Sequence, residues 1–320
     1  VSSMSATYDS NAQKVVIAYT DGGNSSFGTA VVGTVSGTSI SFGAPNVFES
    51  AVVSSMSATY DSNAQKVVIA YTDGGNSGYG TAVVGTVFGT NISFGTPVVF
   101  ESAISQFMSA TYDSNAQKVV IAYRDGGNSN YGTAVVGTVS GTSISFGTPV
   151  VFGSASTSNM SATYDSNAQK VVIAYADGGN SNYGTAVVGT VSGTSISFGT
   201  PVVFESAISQ FMSATYDSNA QKVVIAYRDG GNSSYGTAVV FQSEITNLTS
   251  ENFIGISNGA YSNGQTAQVQ IIGAVDDAQS GLTAGQAYYV LADGSVSVTP
   301  DIRAIFAGTA VSATKLIVKG

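Results

Sequence analysis

The 320-residue chain carries 10 Lys and Arg against 19 Asp and Glu, for a net charge of -9, and has no His, Cys or Trp. So few cations argue against a phosphate-binding groove and hence against a nucleic-acid partner, and the missing cysteines exclude a disulfide framework and a thiolate metal site. No apolar run approaches the ~20 residues of a membrane helix, so no membrane insertion is expected, and no basic-then-apolar leader opens the chain.

With only 9% of residues charged, Gly, Ser, Thr and Asn must wet the surface, which suits an all-β protein rich in tight turns. The stretch MSATYDSNAQKVVIAY begins at Met4 and recurs at Met56, Met108, Met160 and Met212, an unbroken spacing of 52 residues. Such a period marks a supersecondary unit that is too small to bury its own apolar face and stacks on copies of itself.

Within a copy, MSATY (4–8) is followed by the turn DSNAQ, then KVVIAY (14–19), DGGNSS, GTAVVGTV (28–35), SGT and SISFGAPNVF (39–48). Four strands, A to D, are predicted, joined by turns in which short polar side chains bond nearby backbone and Gly-Gly-Asn tolerates positive φ. Four antiparallel strands repeated every 40 to 50 residues or so are the signature of a β-propeller blade. Small residues such as Ala6, Ala18, Ala30 and Gly33 let blades pack face to face, and strand A is expected to line the channel. The Asp9 and Asp21 turns read as structural turns before calcium loops, which gather several carboxylates, and the Met opening each strand A reads as a packing residue.

The fifth copy leaves the pattern after Val240 and lacks its D strand. VSS before Met4 matches VSS before Met56, so the chain starts in mid-repeat, as a processed product or the ordered part of a longer polypeptide would. We expect a five-bladed ring closed by a D strand from upstream of Val1. The alternative is an open or partly closed array with the tail module over its free edge.

The copies differ in three places. The pair before the Met is Ser2-Ser3, Ser54-Ser55, Gln106-Phe107, Ser158-Asn159 and Gln210-Phe211. The residue after strand B is Thr20, Thr72, Arg124, Ala176 and Arg228. A third pair is Ser26-Phe27, Gly78-Tyr79, Asn130-Tyr131, Asn182-Tyr183 and Ser234-Tyr235. In a four-stranded meander the D-to-A and B-to-C connections share one end, so all three fall on one face, opposite the constant DSNAQK turns. Aromatic, Arg and amide groups on a divergent face suit a ligand, carbohydrate being the class that fits these residue types. Gln-Phe accompanies Arg in copies three and five; contact would explain this, as would duplication, because residues 97–129 and 201–233 are identical.

From about Ser243 the repeat is gone, but the runs NFIGIS, AQVQIIGAV, AYYVLADGSVSVTP and KLIVKG continue the strand pattern, with Asp293-Gly294 as a hairpin signal. The predicted organisation is a propeller at 1–242 and a small C-terminal β-barrel or sandwich at 243–320, large enough to fold alone. The run SGLTAGQAYYVLADGSVSVTP (280–300) with AGTAVSATKLIVKG (307–320) resembles C-terminal modules of tailed-phage fibre and other virion structural proteins. The repeat is similar to tandem repeats in structural proteins of marine and cyanobacterial tailed phages.

That resemblance implies an extracellular virion appendage concerned with host attachment, with other virion proteins as partners and a homo-oligomer, a trimer favoured. The expected function is therefore a non-enzymatic tail fibre or tail-associated protein whose propeller face binds host cell-surface carbohydrate, with repetition of weak sites raising avidity. The candidate ligand-binding residues are Tyr79, Gln106, Phe107, Arg124, Asn130, Tyr131, Asn159, Tyr183, Gln210, Phe211, Arg228 and Tyr235, rings for stacking and polar groups for hydrogen bonds. No catalytic residue, metal or cofactor is expected. The alternative is a structural decoration or surface-filament subunit whose loops contact neighbouring subunits. A glycan-degrading enzyme fits less well, because paired catalytic acids need different environments and the acids here, such as Asp9 and Asp21, are repeat-invariant turn residues.

Overall fold

A computed structural model describes residues 1–243, 253–259, 261, 265–290, 295–300 and 305–319. The chain divides into two compact units, Val1–Ser243 and Glu244–Gly320. The first is all-β and of propeller type: five antiparallel sheets follow one another, one per copy. In copy one, strand A is Ser2–Asp9, B is Lys14–Asp21 and C is Phe27–Ser36.

The D strand differs from its predicted form. It begins as Ser39–Phe42, paired with the end of C, breaks at Gly43-Ala44-Pro45, and resumes at Asn46, which opposes Ala30. Proline has no N–H to give the ladder, and Gly43 N instead bonds Val32 O at 2.9 Å. A D-to-A loop is absent too. Asn46–Asp61 is a single 16-residue strand whose first half closes copy one and whose second half is strand A of copy two. Val98–Asp113, Val150–Asp165 and Val202–Asp217 do the same. The expected D-to-A connection is thus a continuous strand interrupted by a bulge. Outside strands, Gly74–Asn76 and Gly178–Asn180 form single 3₁₀ turns.

Alternation along KVVIAY gives each sheet two apolar sides of different relief. Val16, Ala18, Ala30 and Val32 of copy one form a smooth side, against which Met56, Val67, Ile69, Tyr71, Val83 and Ile92 of copy two pack as knobs. The same division recurs between copies two and three, three and four, and four and five. Glycine makes the close fit possible: a Cβ on Gly28 would lie 2.4 Å from the Phe48 ring, and one on Gly43 would lie 1.8 Å from Thr90 O in the next sheet.

Polar bonds fix the stacking register. Ser5, Ser57, Ser109 and Ser161 each accept, through Oγ, the backbone N–H of Ala58, Ala110, Ala162 and Ala214 in strand A of the following copy, at 2.8–2.9 Å. The Tyr60 hydroxyl meets the Asp9-Ser10-Asn11 turn of the preceding copy, as Tyr112 meets Asp61 to Asn63 and Tyr164 meets Asp113 to Asn115. The invariance of DSNAQ has a packing cause: Asp61 Oδ1 holds its own turn by accepting from Asn63 N and Ala64 N, and that turn receives the next tyrosine.

Among the described residues no ladder joins the first and fifth sheets, and strand C of copy five, Tyr235–Phe241, pairs only with strand B. The outer faces of both end sheets are exposed.

In the second unit, Gly255–Ser257 pairs with Val269–Ile271. A five-stranded antiparallel sheet runs, in spatial order, Val275–Asp276, Lys315–Val318, Ile305–Ser312, Ala287–Val290 and Val296–Ser297. Its core includes Leu282, Tyr288, Ala307 and Leu316. The Asp293-Gly294 hairpin signal lies outside the described residues.

Candidate functional site

The variable positions come together where strand A begins and strand B ends, away from the DSNAQ turns. In the A–B ladders Ser54 opposes Thr72, Gln106 opposes Arg124, Ser158 opposes Ala176 and Gln210 opposes Arg228. The third position joins them, because Asp125 opposes Tyr131 next to Arg124 opposite Gly132. Gln106 and Arg124 are in contact, with Arg124 Nη2 donating to Gln106 Oε1. In copy five Arg228 Nη1 donates to Gln210 Oε1 at 2.9 Å and Nη2 to Ser234 Oγ at 3.0 Å. The joint occurrence of Gln-Phe and Arg therefore has a physical contact behind it, whatever the history of the duplicated block.

A β-bulge shapes this end. The register slips just before each Met, and the residue there takes a left-handed backbone: φ is 46° at Ser55, 52° at Phe107, 51° at Asn159 and 52° at Phe211. Serine and asparagine are small enough or locally bonded enough for that region. A bulky ring there is an outlier, costing on the order of 1–3 kcal/mol, and such strain clusters at working sites. Both rings face outward, Phe107 at 38% and Phe211 at 73% exposure. The Arg124 guanidinium carbon lies 4.7 Å from the Phe107 ring centroid, and its partial burial lowers the arginine pKa from its ordinary value. Among the described residues neither Arg124 nor Arg228 forms an ion pair.

The other predicted residues divide. Asn159 is committed to structure: its Oδ1 accepts Phe211 N at 3.2 Å and its Nδ2 donates to Ser158 Oγ at 3.2 Å. Asn130, at φ 62°, bonds Thr157 N through its carbonyl at 3.1 Å. Tyr79, Tyr131 and Tyr183 are half-buried at the start of strand C, whereas Tyr235 is exposed.

Sequence reading missed a neighbouring row. Val52, Ile104 and Ile208 are each more than half exposed, with Ser156 at the same position in copy four. In the C–D ladders Tyr79 opposes Ile104 and Tyr183 opposes Ile208. The signal was present, since this position varies as Val, Ile, Ser and Ile four residues before the Met.

A second constellation lies inside the array. Tyr71 donates to Glu49 Oε2 at 3.0 Å, Tyr123 to Glu101 at 3.0 Å and Tyr227 to Glu205 at 2.9 Å, each pair spanning two sheets. Tyr71 and Tyr123 are fully buried. Burial first, then the nearby carboxylates, push both phenols far above the usual tyrosine range, and Tyr227 up to about 12. A nucleophilic tyrosine needs the opposite shift and an open approach. No group of acids able to hold a metal ion is formed among the described residues.

No family model matches the chain, and no curated protein matches it. Among solved structures, a protein of unknown function from Dyadobacter fermentans is similar in fold, with a TM-score of 0.52, 13% identity, and coverage of 76% of this chain and 79% of that one. The six-bladed β-propeller lectin of Aleuria aurantia, with fucose recognition, gives 0.44 at 12% identity over 75% and 78%. Trypanosoma rangeli sialidase, in a mutant with trans-sialidase activity, gives 0.45 at 14% identity over 75% and 44%.

Proposed function

We propose that the repeat array is a non-enzymatic carbohydrate-binding platform, with its principal sites at Gln106-Phe107-Arg124 and Gln210-Phe211-Arg228. The observation that carries this reading is the placing of two exposed phenylalanines on left-handed bulges, each beside an arginine that bonds a glutamine. An outward ring offers a flat apolar face, while guanidinium and amide supply fixed donors and acceptors, the combination that orients a small polar ligand. Two shallow sites on one rigid array gain through avidity. Non-enzymatic action is supported by the full burial of Tyr71 and Tyr123, whose hydroxyls bond Glu49 and Glu101, and by the upward shift of those phenols.

On the tail and repeat resemblance alone, we place this platform on an extracellular virion appendage that contacts host cell-surface glycan. The reading is tested by a glycan array probed with the full chain and with Phe107→Ser combined with Phe211→Ser, which returns both bulges to the residue of copies one and two. Binding by the wild type and its loss in the variant, with an unchanged circular dichroism spectrum, is the expected result. A wild type that retains no glycan overturns it. The exposed row Val52, Ile104 and Ile208 favours a second reading, a decoration or filament subunit whose bulge end is buried on another protein.

A further inference from the structure

The array makes one interface four times and leaves its two halves bare at the ends. Each internal boundary joins the smooth side of one sheet to the knobs of the next. The first sheet has knobs with nothing to fill: Met4 is 65% exposed where Met56, Met108 and Met160 are 7%, and Ile40 is 43% exposed where Ile92 is 2%. Tyr8, Val35 and Phe42 are exposed on the same sheet. The fifth sheet has the smooth side uncovered: Val240 is 63% exposed where Val32 is 0%, and Ala226 is exposed where Ala18, Ala70, Ala122 and Ala174 are fully buried.

We propose that the fifth sheet of one copy of this chain receives the first sheet of a second copy, repeating the internal boundary between molecules. The occupant is fixed by continuity with the interface already present. The surface that packs on Val172, Ala174 and Ala186 of copy four is the Met212, Val223, Ile225 and Tyr227 set, and the first sheet displays the same set as Met4, Val15, Ile17 and Tyr19. The polar register transfers as well. Ser213 occupies the place of Ser5, Ser57, Ser109 and Ser161, whose hydroxyls accept the Ala N–H of the next strand A, and Ala6 is the corresponding donor on the second copy. The Asp217-Ser218-Asn219 turn is likewise the receptor that Tyr8 would enter, as Tyr60 enters the Asp9 turn. Burial of these faces removes exposed Met, Ile, Val and Tyr surface from water, which drives association. The contact is head to tail, so copies either close into a ring or extend as a filament.

The chain has no cysteine of its own, which makes the test specific. Tyr8→Cys and Ser218→Cys are prepared as separate full-length variants and treated with a short bis-maleimide, singly and mixed. Cross-linked dimer in the mixture, beyond that in either variant alone, is the expected result. Sedimentation of the wild type should show a mass that rises with concentration to at least twice the monomer, and Met4→Glu, at a site 65% exposed in its own chain, should hold the protein monomeric. The proposal fails if the wild type stays monomeric, if Met4→Glu leaves the association intact, or if the double variant Tyr8→Cys, Ser218→Cys links only within one chain. None of these readouts depends on carbohydrate, so this proposal and the binding platform stand or fall separately.

Discussion

Tyr123 donates its hydroxyl to Glu101 at 3.0 Å, tying strand B of the third sheet to strand D of the second. Tyr123 is fully buried, so removing its acceptor strands a hydroxyl away from water, at a cost of about 1–3 kcal/mol. Glu101→Ala should therefore lower the urea midpoint without changing the slope. Copy four supplies the control, because Gly153 stands where Glu101 does and Tyr175 has no such carboxylate opposite it. Tyr175→Phe should then cost less than Glu101→Ala; an equal or larger loss would show that the Tyr–Glu bond contributes nothing.

The same pair predicts a pH dependence. Glu101 is shifted upward, chiefly by desolvation, with the neighbouring Asp125 adding to the rise and the Tyr123 bond opposing it. The folded chain thus holds this proton to a higher pH than the unfolded chain does. Between the ordinary glutamate value and the raised one the folded state binds more protons, so this group's contribution to stability is full below that window and falls as pH rises through it. Glu101→Gln keeps an acceptor but cannot titrate. The advantage of wild type over Glu101→Gln, read as the difference in Tm, should shrink as pH rises above the ordinary glutamate value of about 4.3. A difference that is flat or grows with pH refutes the assignment.

The repeated methionine gives a test of packing free of sequence context. Met108 is 7% exposed between sheets two and three, whereas Met4, in the same MSATY strand, is 65% exposed. Met108→Ala should destabilise by about 2–5 kcal/mol, the usual range for emptying a core site. Met4→Ala, measured at a concentration where the chain is monomeric, should stay within about 0.5 kcal/mol.

The repeat period, the four-strand meander and the sharing of one end by the variable positions were legible because they follow from turn chemistry and alternation, which act locally. The continuous 16-residue strands were not, because a bulge at Ser55, Phe107, Asn159 or Phe211 looks in sequence like any pair of loop residues. Whether the first and last sheets meet depends on the small rotation between successive sheets. That rotation is set by contacts such as Gly43 against Thr90 O, which no strand pattern encodes. Arg124, Gln106 and Phe107 were visible as departures from otherwise repeating text. Ile104 was overlooked because apolar residues at a strand position read as core, although its side chain is 54% exposed.

Arginine at the end of strand B comes at a structural cost. Thr20 Oγ1 donates to Val53 O in the next sheet at 3.0 Å, and Thr72 Oγ1 donates to Ser105 O, so threonine here links neighbouring copies. Arg124 gives up that bond and turns its guanidinium to Gln106 and the Phe107 ring. Arg124→Thr should regain a bond worth about 0.5–1.5 kcal/mol but lose the Gln106 bond, of at least similar worth, and a partly exposed ring contact worth about 0.5–1 kcal/mol, so stability should fall by no more than about 1 kcal/mol. Carbohydrate retention, by contrast, should fall, and Arg124→Thr with Arg228→Thr should abolish it together with its avidity. Thermal unfolding and glycan retention of the single and double variants separate the roles. Arginine chosen for binding leaves Tm nearly in place while retention disappears, whereas a loss of about 2 kcal/mol or more in the single variant, the scale of a core defect, would make Arg124 a structural residue.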